Sequence, residues 1–330
     1  MEPLRDDYKI KSTDLRKALG VAPATMSDIY KKVGYKAPSG TRRGSSRLVD
    51  PTWAKKILNL RGHDFPEPAK VISIMMCKGG VGKTTSSYFL GQRLSSYGAK
   101  VLLIDSDSQG NLTSVFDLDS YESTDFDDES FVLVDVIEGN ADIDEVVWAI
   151  TPNLHLIPSS PVNARLEGVI REKAKNPSKP ISRILNKLKD KYNYIIIDCA
   201  PALNLTNTAT ICASDLVLLP VAPDKFSKFG VQQTLKEIET IESDFNLEVD
   251  KKIVFTRFDG REFTSMSYLS EIANEYESKM YSTMIRTSAD CKNSITKKED
   301  LFSYSKSNAK EDYDELTREI IGLKNNSKKK

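Results

Sequence analysis

The stretch from Val71 to Ser96 restricts this chain to a narrow set of folds. An apolar run, Val71-Ile72-Ser73-Ile74-Met75-Met76, leads into Lys78-Gly79-Gly80-Val81-Gly82-Lys83-Thr84-Thr85, and a helix-like segment to Ser96 follows. Three glycines let the backbone curl so that successive N–H groups converge on one anion, and the following helix adds the positive end of its dipole. Such a strand-to-helix turn is a phosphate cradle. In the general pattern of that loop, Lys83 reaches the β- and γ-phosphates of a nucleotide and the Thr84 hydroxyl ligands Mg²⁺, so ATP or ADP with Mg²⁺ is the expected cofactor. Cys77 replaces the first glycine of the pattern, and a second lysine, Lys78, stands directly before Gly79.

The rest of the chain agrees with a cradle of that kind. From Lys70 to about Leu323, apolar runs alternate with helical stretches, which predicts an α/β fold with a doubly wound, mainly parallel sheet. The expected strands are Val71–Met76, Val101–Asp105, Leu154–Pro158, Tyr194–Asp198, Leu216–Pro220 and Lys252–Thr256. Ligands belong at the carboxyl ends of such strands. Two of those ends carry carboxylates: Asp105-Ser106-Asp107-Ser108-Gln109-Gly110-Asn111, and Tyr194-Ile195-Ile196-Ile197-Asp198 followed by Cys199-Ala200-Pro201. The second is a Walker B arrangement, with Asp198 placed to hold Mg²⁺ through water beside Thr84.

Lys78 before Gly79-Gly80, the Asp105-to-Asn111 stretch and the strand ending in Asp198 together resemble the ParA/MinD family of dimeric ATPases, over about three quarters of the chain. The resemblance implies that Lys78 crosses a dimer interface to the partner's nucleotide. It also implies that Asp107 positions the attacking water and that Asp105 helps hold the metal's water shell. Thr256-Arg257, within Phe255 to Arg261, and Arg286, within Ile285 to Ser288, stand where the family contacts the nucleotide. Three departures are visible: Ser108 and Ala200 replace usual prolines, and a proline usual before Arg286 is absent. What the family implies is a partition ATPase: an ATP-sandwich homodimer that binds DNA without sequence preference and is released when a ParB-like centromere-binding partner stimulates hydrolysis. Lys292, Lys297, Lys298 and Lys306 are the expected contacts for nonspecific DNA binding. A nucleotide-switched transcriptional regulator and a MinD-like positioning ATPase are the alternatives.

Ahead of the cradle the composition changes. Residues 1–65 hold 14 Lys/Arg against 7 Asp/Glu, a local charge of +7 in a chain whose net charge is zero. Thr13 to Leu19 and Ala24 to Val33 read as two short amphipathic helices joined by a turn at Gly20, and a third helix begins after Asp50-Pro51. Between them lies the basic, turn-rich stretch Pro38 to Arg47. The order resembles a winged helix-turn-helix of the MerR-like kind, which implies operator recognition and repression of the protein's own operon. Thr25, Ser27, Lys31 and Lys32 would face the major groove, with Arg42, Arg43 and Arg47 on the wing. A small helical cap with solvated basic residues is the other reading. The expected organisation is therefore a DNA-binding domain over residues 1–65, a linker over residues 66–69 and an ATPase domain over residues 70–330.

Composition excludes several other classes. No apolar run approaches the roughly 18 residues of a membrane helix, so a cytoplasmic protein with no membrane partner is expected, and the family resemblance implies association with the nucleoid. Cys77, Cys199, Cys212 and Cys291 form no Cys-x-x-Cys pair, which argues against zinc, iron–sulfur or disulfide chemistry. His155, between two leucines of a strand, is expected to be structural. Tyr121 to Ser130, thick with carboxylates, reads as a surface loop, and Lys324 to Lys330 as a basic tail.

Overall fold

A computed structural model describes residues 8–36, 47–116, 118 and 130–323. The acidic loop up to Glu129, Arg42, Arg43 and the basic tail lie outside the described residues. The N-terminal module comprises β1 (Ile10–Lys11), α1 (Ser12–Leu19), α2 (Pro23–Val33), β2 (Leu48–Val49) and α3 (Pro51–Leu60). Gly20, at φ 63°, ends α1 in the left-handed region that favours glycine and turns the chain into α2. The two short strands pair antiparallel, Ile10 with Val49. Asp50 caps α3 by accepting from the Thr52 amide at 2.8 Å, with Pro51 at the first helical position.

The second part begins with β3 (Lys70–Ile74), α4 (Lys83–Ser96), β4 (Val101–Asp105), α5 (Leu133–Glu138), β5 (Trp148–Thr151), β6 (Leu154–Ile157), α6 (Leu166–Lys173) and α7 (Lys179–Leu188). It continues with β7 (Tyr194–Asp198), α8 (Leu205–Ile211), β8 (Leu216–Val221), α9 (Ser227–Phe245), β9 (Asp250–Phe258), α10 (Phe263–Tyr276), β10 (Met280–Arg286), α11 (Ala289–Lys297) and α12 (Asn308–Ile320). These strands form one eight-stranded sheet in the order β10-β9-β8-β3-β7-β4-β6-β5. All neighbours are parallel except β5, which runs antiparallel to β6 at one edge. The six expected strands are all present within a few residues of their expected bounds. The edge strands β5 and β10 were not expected: β10 is interrupted by Ser282 and Thr283, whereas β5 lies in the apolar run Val146 to Ile150, a signal the sequence did carry.

Successive strand residues feed opposite faces of the sheet. Ile72, Ile74, Val101 and Leu103 join one buried cluster, whereas Val71, Met75, Leu102 and Ile104 join the other. Continuous apolar strands follow from this two-sided burial. The N-terminal module adds Ile10, Leu15, Ile29, Val49, Ile57 and Leu58 to the cluster that holds Phe89, Leu94 and Tyr97 of α4 and its end. Contact there is close: a Cβ on Gly98, just past α4, would lie 2.3 Å from the Pro51 carbonyl oxygen. The connecting segment is itself anchored, because Phe65 and Ala69 are buried and the Phe65 ring packs edge-on against Tyr194. Among the described residues, no helix is long and apolar enough to cross a membrane.

Candidate nucleotide site

The loop between β3 and α4 takes its shape from Gly80 (φ 73°) and Gly82 (φ 90°). A Cβ at either glycine would meet nothing within 4 Å, so it is conformation and not space that demands glycine there. Gly82 caps α4 with no side chain on its first N–H groups, leaving them aimed at the loop's concavity. Lys83 opens the helix and is buried; among the described residues its ammonium hydrogen-bonds only to the Lys78 carbonyl oxygen, at 3.4 Å. Burial pulls the Lys83 pKa down, with Asp198 pulling the other way.

Asp198 ends β7 in the register partner of Ile74, so sheet pairing alone sets it beside the loop. Thr84 Oγ1 donates to one of its oxygens at 2.7 Å and Ser87 Oγ to the other at 2.9 Å. Burial, with Asp105 adding, pushes this carboxyl up to about 7 against the opposing hydroxyl bonds and Lys83. Among the described residues neither Lys83 nor Asp198 has an ion-pair partner. Asp105 is also buried and pushed up to about 6, chiefly by desolvation. Its oxygens accept from the Thr113 amide and hydroxyl, both at 2.8 Å, and from the Asp107 amide at 3.2 Å, so it holds the following loop in shape. That loop turns Asp107 toward the cradle, where Asp107 also accepts from the Gln109 amide at 3.0 Å.

The remaining predicted groups converge on one cavity of about 920 Å³. Gly79, Gly80, Gly82, Lys83, Thr84, Thr85, Asp107, Thr256, Arg257 and Arg286 all line it. Thr256 donates to the Val81 carbonyl at 2.8 Å, and Arg257, at φ 53°, donates to that of Gly80 at 2.9 Å, so β9 braces the loop from behind. Arg286 is clamped on Asp312 of α12 by bonds of 2.6–3.1 Å. Lys78 pairs with Asp224 of its own chain, its ammonium 5.6 Å from the Phe226 ring centre.

The apolar wall of this cavity is Ile285, Cys291, Ile295 and Tyr313; sequence reasoning reached Ile285 through the stretch that holds Arg286 and missed Ile295 and Tyr313. The wall comes from β10, α11 and α12, and nothing in the local sequence joins Ile295 or Tyr313 to a glycine loop some two hundred residues earlier.

A family model described as an AAA domain matches residues 69–251. The sporulation initiation inhibitor protein Soj of Bacillus subtilis is 32% identical over 220 residues, covering 66% of this chain and 83% of Soj. The chromosome partitioning protein ParA of Caulobacter vibrioides is 30% identical over 225 residues, covering 66% of this chain and 80% of that protein. The chain belongs to the ParA family of ATPases. Among solved structures, a plasmid partition protein from Borrelia burgdorferi bound to AMPPNP superimposes with a TM-score of 0.64 at 25% identity, covering 78% of this chain and 99% of that one. An ATP complex of McdA from Cyanothece shares the fold, with a TM-score of 0.70 at 22% identity over 78% of this chain and 98% of that one. In this chain the cavity sits at the carboxyl ends of the parallel strands.

The predicted DNA contacts fall in separate places. Thr25, Ser27, Lys31 and Lys32 are exposed along α2, where Lys31 pairs with Asp28 at 3.9 Å, and Arg47 lies 5.7 Å over the Tyr30 ring. Lys297, Lys298 and Lys306 are exposed after and near the end of α11. Lys292 is exposed too, but it lines the cavity wall next to Cys291. His155 is half-buried and shares a hydrogen bond of 2.7 Å with the Tyr192 hydroxyl. The four cysteines are free thiols.

Proposed function

We propose that this ParA-family chain is a partition ATPase that binds ATP with Mg²⁺ in the cavity at the β3–α4 loop. The observation that carries this is a buried cation and a buried carboxylate, Lys83 and Asp198, that face the loop with no ion pair to either among the described residues. Residues of this kind suit the group: converging N–H donors and Lys83 for phosphate oxygens, Thr84 and Asp198 for a hydrated cation, and an apolar wall for a base. Bound Mg²⁺ supplies neutralisation of the charge that builds between the β- and γ-phosphates. Lys83 and the loop amides hold the phosphates in line, and Asp107 orients water at the open side. Lys78 acts in the ATP-sandwich dimer, reaching the partner's nucleotide after leaving Asp224.

The same proposal extends to partners. The dimer binds DNA nonspecifically through Lys292, Lys297, Lys298 and Lys306, and a ParB-like protein stimulates hydrolysis and release. The N-terminal module reads an operator as one half of a dimer, with Thr25, Ser27, Lys31 and Lys32 at the major groove and the arginines 42, 43 and 47 on the wing. Its core is shared with α4, so surface substitution tests it more cleanly than deletion. Lys31→Glu with Lys32→Glu should abolish footprinting at the operon's own promoter and leave ATP turnover unchanged; retained footprinting removes operator reading.

ATP hydrolysis measured with and without duplex DNA tests the core proposal. Asp107→Ala is expected to accumulate as an ATP-bound dimer in size-exclusion chromatography with turnover lost. Failure of that variant to bind ATP would reassign Asp107 from water positioning to nucleotide binding. Absence of ATP turnover in the wild-type protein under every condition would favour a nucleotide-switched regulator.

A further inference from the structure

A second concavity, of about 580 Å³, opens between α5, α6 and α7, on elements that contribute nothing to the nucleotide cavity. Its rim is basic: Lys173 and Lys175 at the end of α6, and Lys179, Arg183 and Lys187 on α7. Among the described residues no aspartate or glutamate lines it. The three α7 residues recur every four positions, about 6 Å apart along the axis, because Ile181, Ile184, Leu185 and Leu188 take the inward face. Three neighbouring cations are neutralised. Arg165 pairs with Glu138, Arg171 with Glu167 at 2.8 Å and Lys191 with Asp144 at 2.7 Å. Lys175, Lys179, Arg183 and Lys187, by contrast, have no ion pair among the described residues.

The floor decides between kinds of anion. Val136 and Ile137 of α5, Pro180 and Ile184 give the concavity an apolar base beneath its cationic rim. A duplex backbone presents phosphates to a positive surface and gains nothing from a recessed aliphatic floor. A peptide that alternates carboxylates with apolar side chains uses both parts: an extended chain places successive same-face residues about 6.6 Å apart, close to the spacing of the rim. We propose that the α5–α7 concavity docks an acidic, amphipathic peptide segment of a partner protein, with carboxylates on Lys179, Arg183 and Lys187 and apolar side chains on Val136, Ile137 and Ile184. This site is independent of the nucleotide reading.

The test uses the full chain and a fluorescent peptide that alternates glutamate with leucine, followed by anisotropy. A glutamate–serine peptide and a duplex DNA serve as comparison probes. The glutamate–leucine peptide is expected to bind, the glutamate–serine peptide to bind about tenfold more weakly, and the variant Lys179→Glu/Arg183→Glu/Lys187→Glu to lose the peptide by at least about tenfold. ATP binding and DNA affinity should be unchanged in that variant, since these side chains lie on the solvent face of α7 and touch neither site. Unchanged peptide affinity in the triple variant overturns the proposal. So does a variant that loses DNA while keeping peptide, which would make the groove a phosphate-backbone surface. Ile137→Ser, which leaves the rim intact, should weaken only the glutamate–leucine peptide; equal weakening of both peptides would remove the apolar floor from the argument.

Discussion

The two ends of α4 both bury charge, and they do so in opposite ways. At the first residue, Lys83 faces a cavity with Asp198 nearby and no ion-pair partner among the described residues. In the last turn Arg93, fully buried, is saturated. Its Nε donates to Asp314 of α12 at 2.6 Å, its Nη2 lies 3.4 Å from Asp14 of the N-terminal module, and its guanidinium stacks over the Phe302 ring at 4.7 Å. Tyr97 donates to Asp314 at 2.8 Å, and Lys310 lies 3.3 Å from Asp14. Compensated burial locks three segments together, whereas uncompensated burial leaves a site that gains when a ligand supplies the missing charge.

That contrast predicts different losses at the two ends. Arg93→Ala takes the buried cation from two carboxylates, leaving Asp14 to Lys310 and Asp314 to Tyr97 and Arg318, and should cost about 3–5 kcal/mol in urea unfolding. A loss under about 1 kcal/mol would mean that the network contributes position and no stability. Lys83→Ala is expected to reduce ATP turnover about a hundredfold or more, the scale of a lost transition-state donor, while leaving unfolding stability unchanged or higher. Should Lys83→Ala destabilise as much as Arg93→Ala, the two ends would not differ in the way described.

The pH dependence of stability should also carry opposite signs. Asp198 has a folded value of about 7 against 3.8, so the folded state keeps a proton that the unfolded state releases. Stability of the ligand-free protein therefore falls as pH rises from 3.8 to about 7, and Asp198→Asn should flatten that fall in part, Asp105 supplying the remainder. At the other end, burial pushes Asp14 up, but Arg93 and Lys310 outweigh it and hold the carboxyl below its ordinary value. Its contribution is present above the unfolded value and is lost as pH falls through the folded one, a loss that Asp14→Asn should remove. Identical pH profiles for the two variants would break the comparison.

The smallest stability effect is expected at Lys78. Its pair with Asp224 is about one-third exposed on each side, so Lys78→Ala should change stability by less than about 1 kcal/mol. Nucleotide binding should survive with turnover lost. Wild-type turnover in that variant would end the cross-subunit role.

Much of the nucleotide site was legible because its signals are local. A glycine fixes its own φ, an apolar run fixes a parallel strand, and a carboxylate at the end of such a run lies at the sheet's ligand-bearing edge. Lys83, Thr84 and Asp198 could be placed near the loop on those grounds, Asp107 only through the family resemblance, and the six central strands came with them. Asp105 was legible as a carboxylate at a strand's end, for the metal's water shell or for capping a loop; that it holds its loop through Thr113 depends on where Thr113 turns back. Arg286 could be placed near the cavity, yet its clamp on Asp312 could not.

What the chain's sequence determined by itself was the cradle, the class of sheet around it and the two-helix basic module at the front. Tertiary structure alone decided how these are joined. Asp312, Tyr313 and Asp314 are consecutive on α12, and each helical step turns about 100°, so they face Arg286, the cavity and Arg93 in turn. Arg93 and Asp314 are 221 positions apart in the chain, and Arg93 and Asp14 are 79 apart. No periodicity or turn propensity reaches across such separations. Which buried charge finds a partner and which is left for a ligand is settled only when the sheet brings distant segments within a few ångströms.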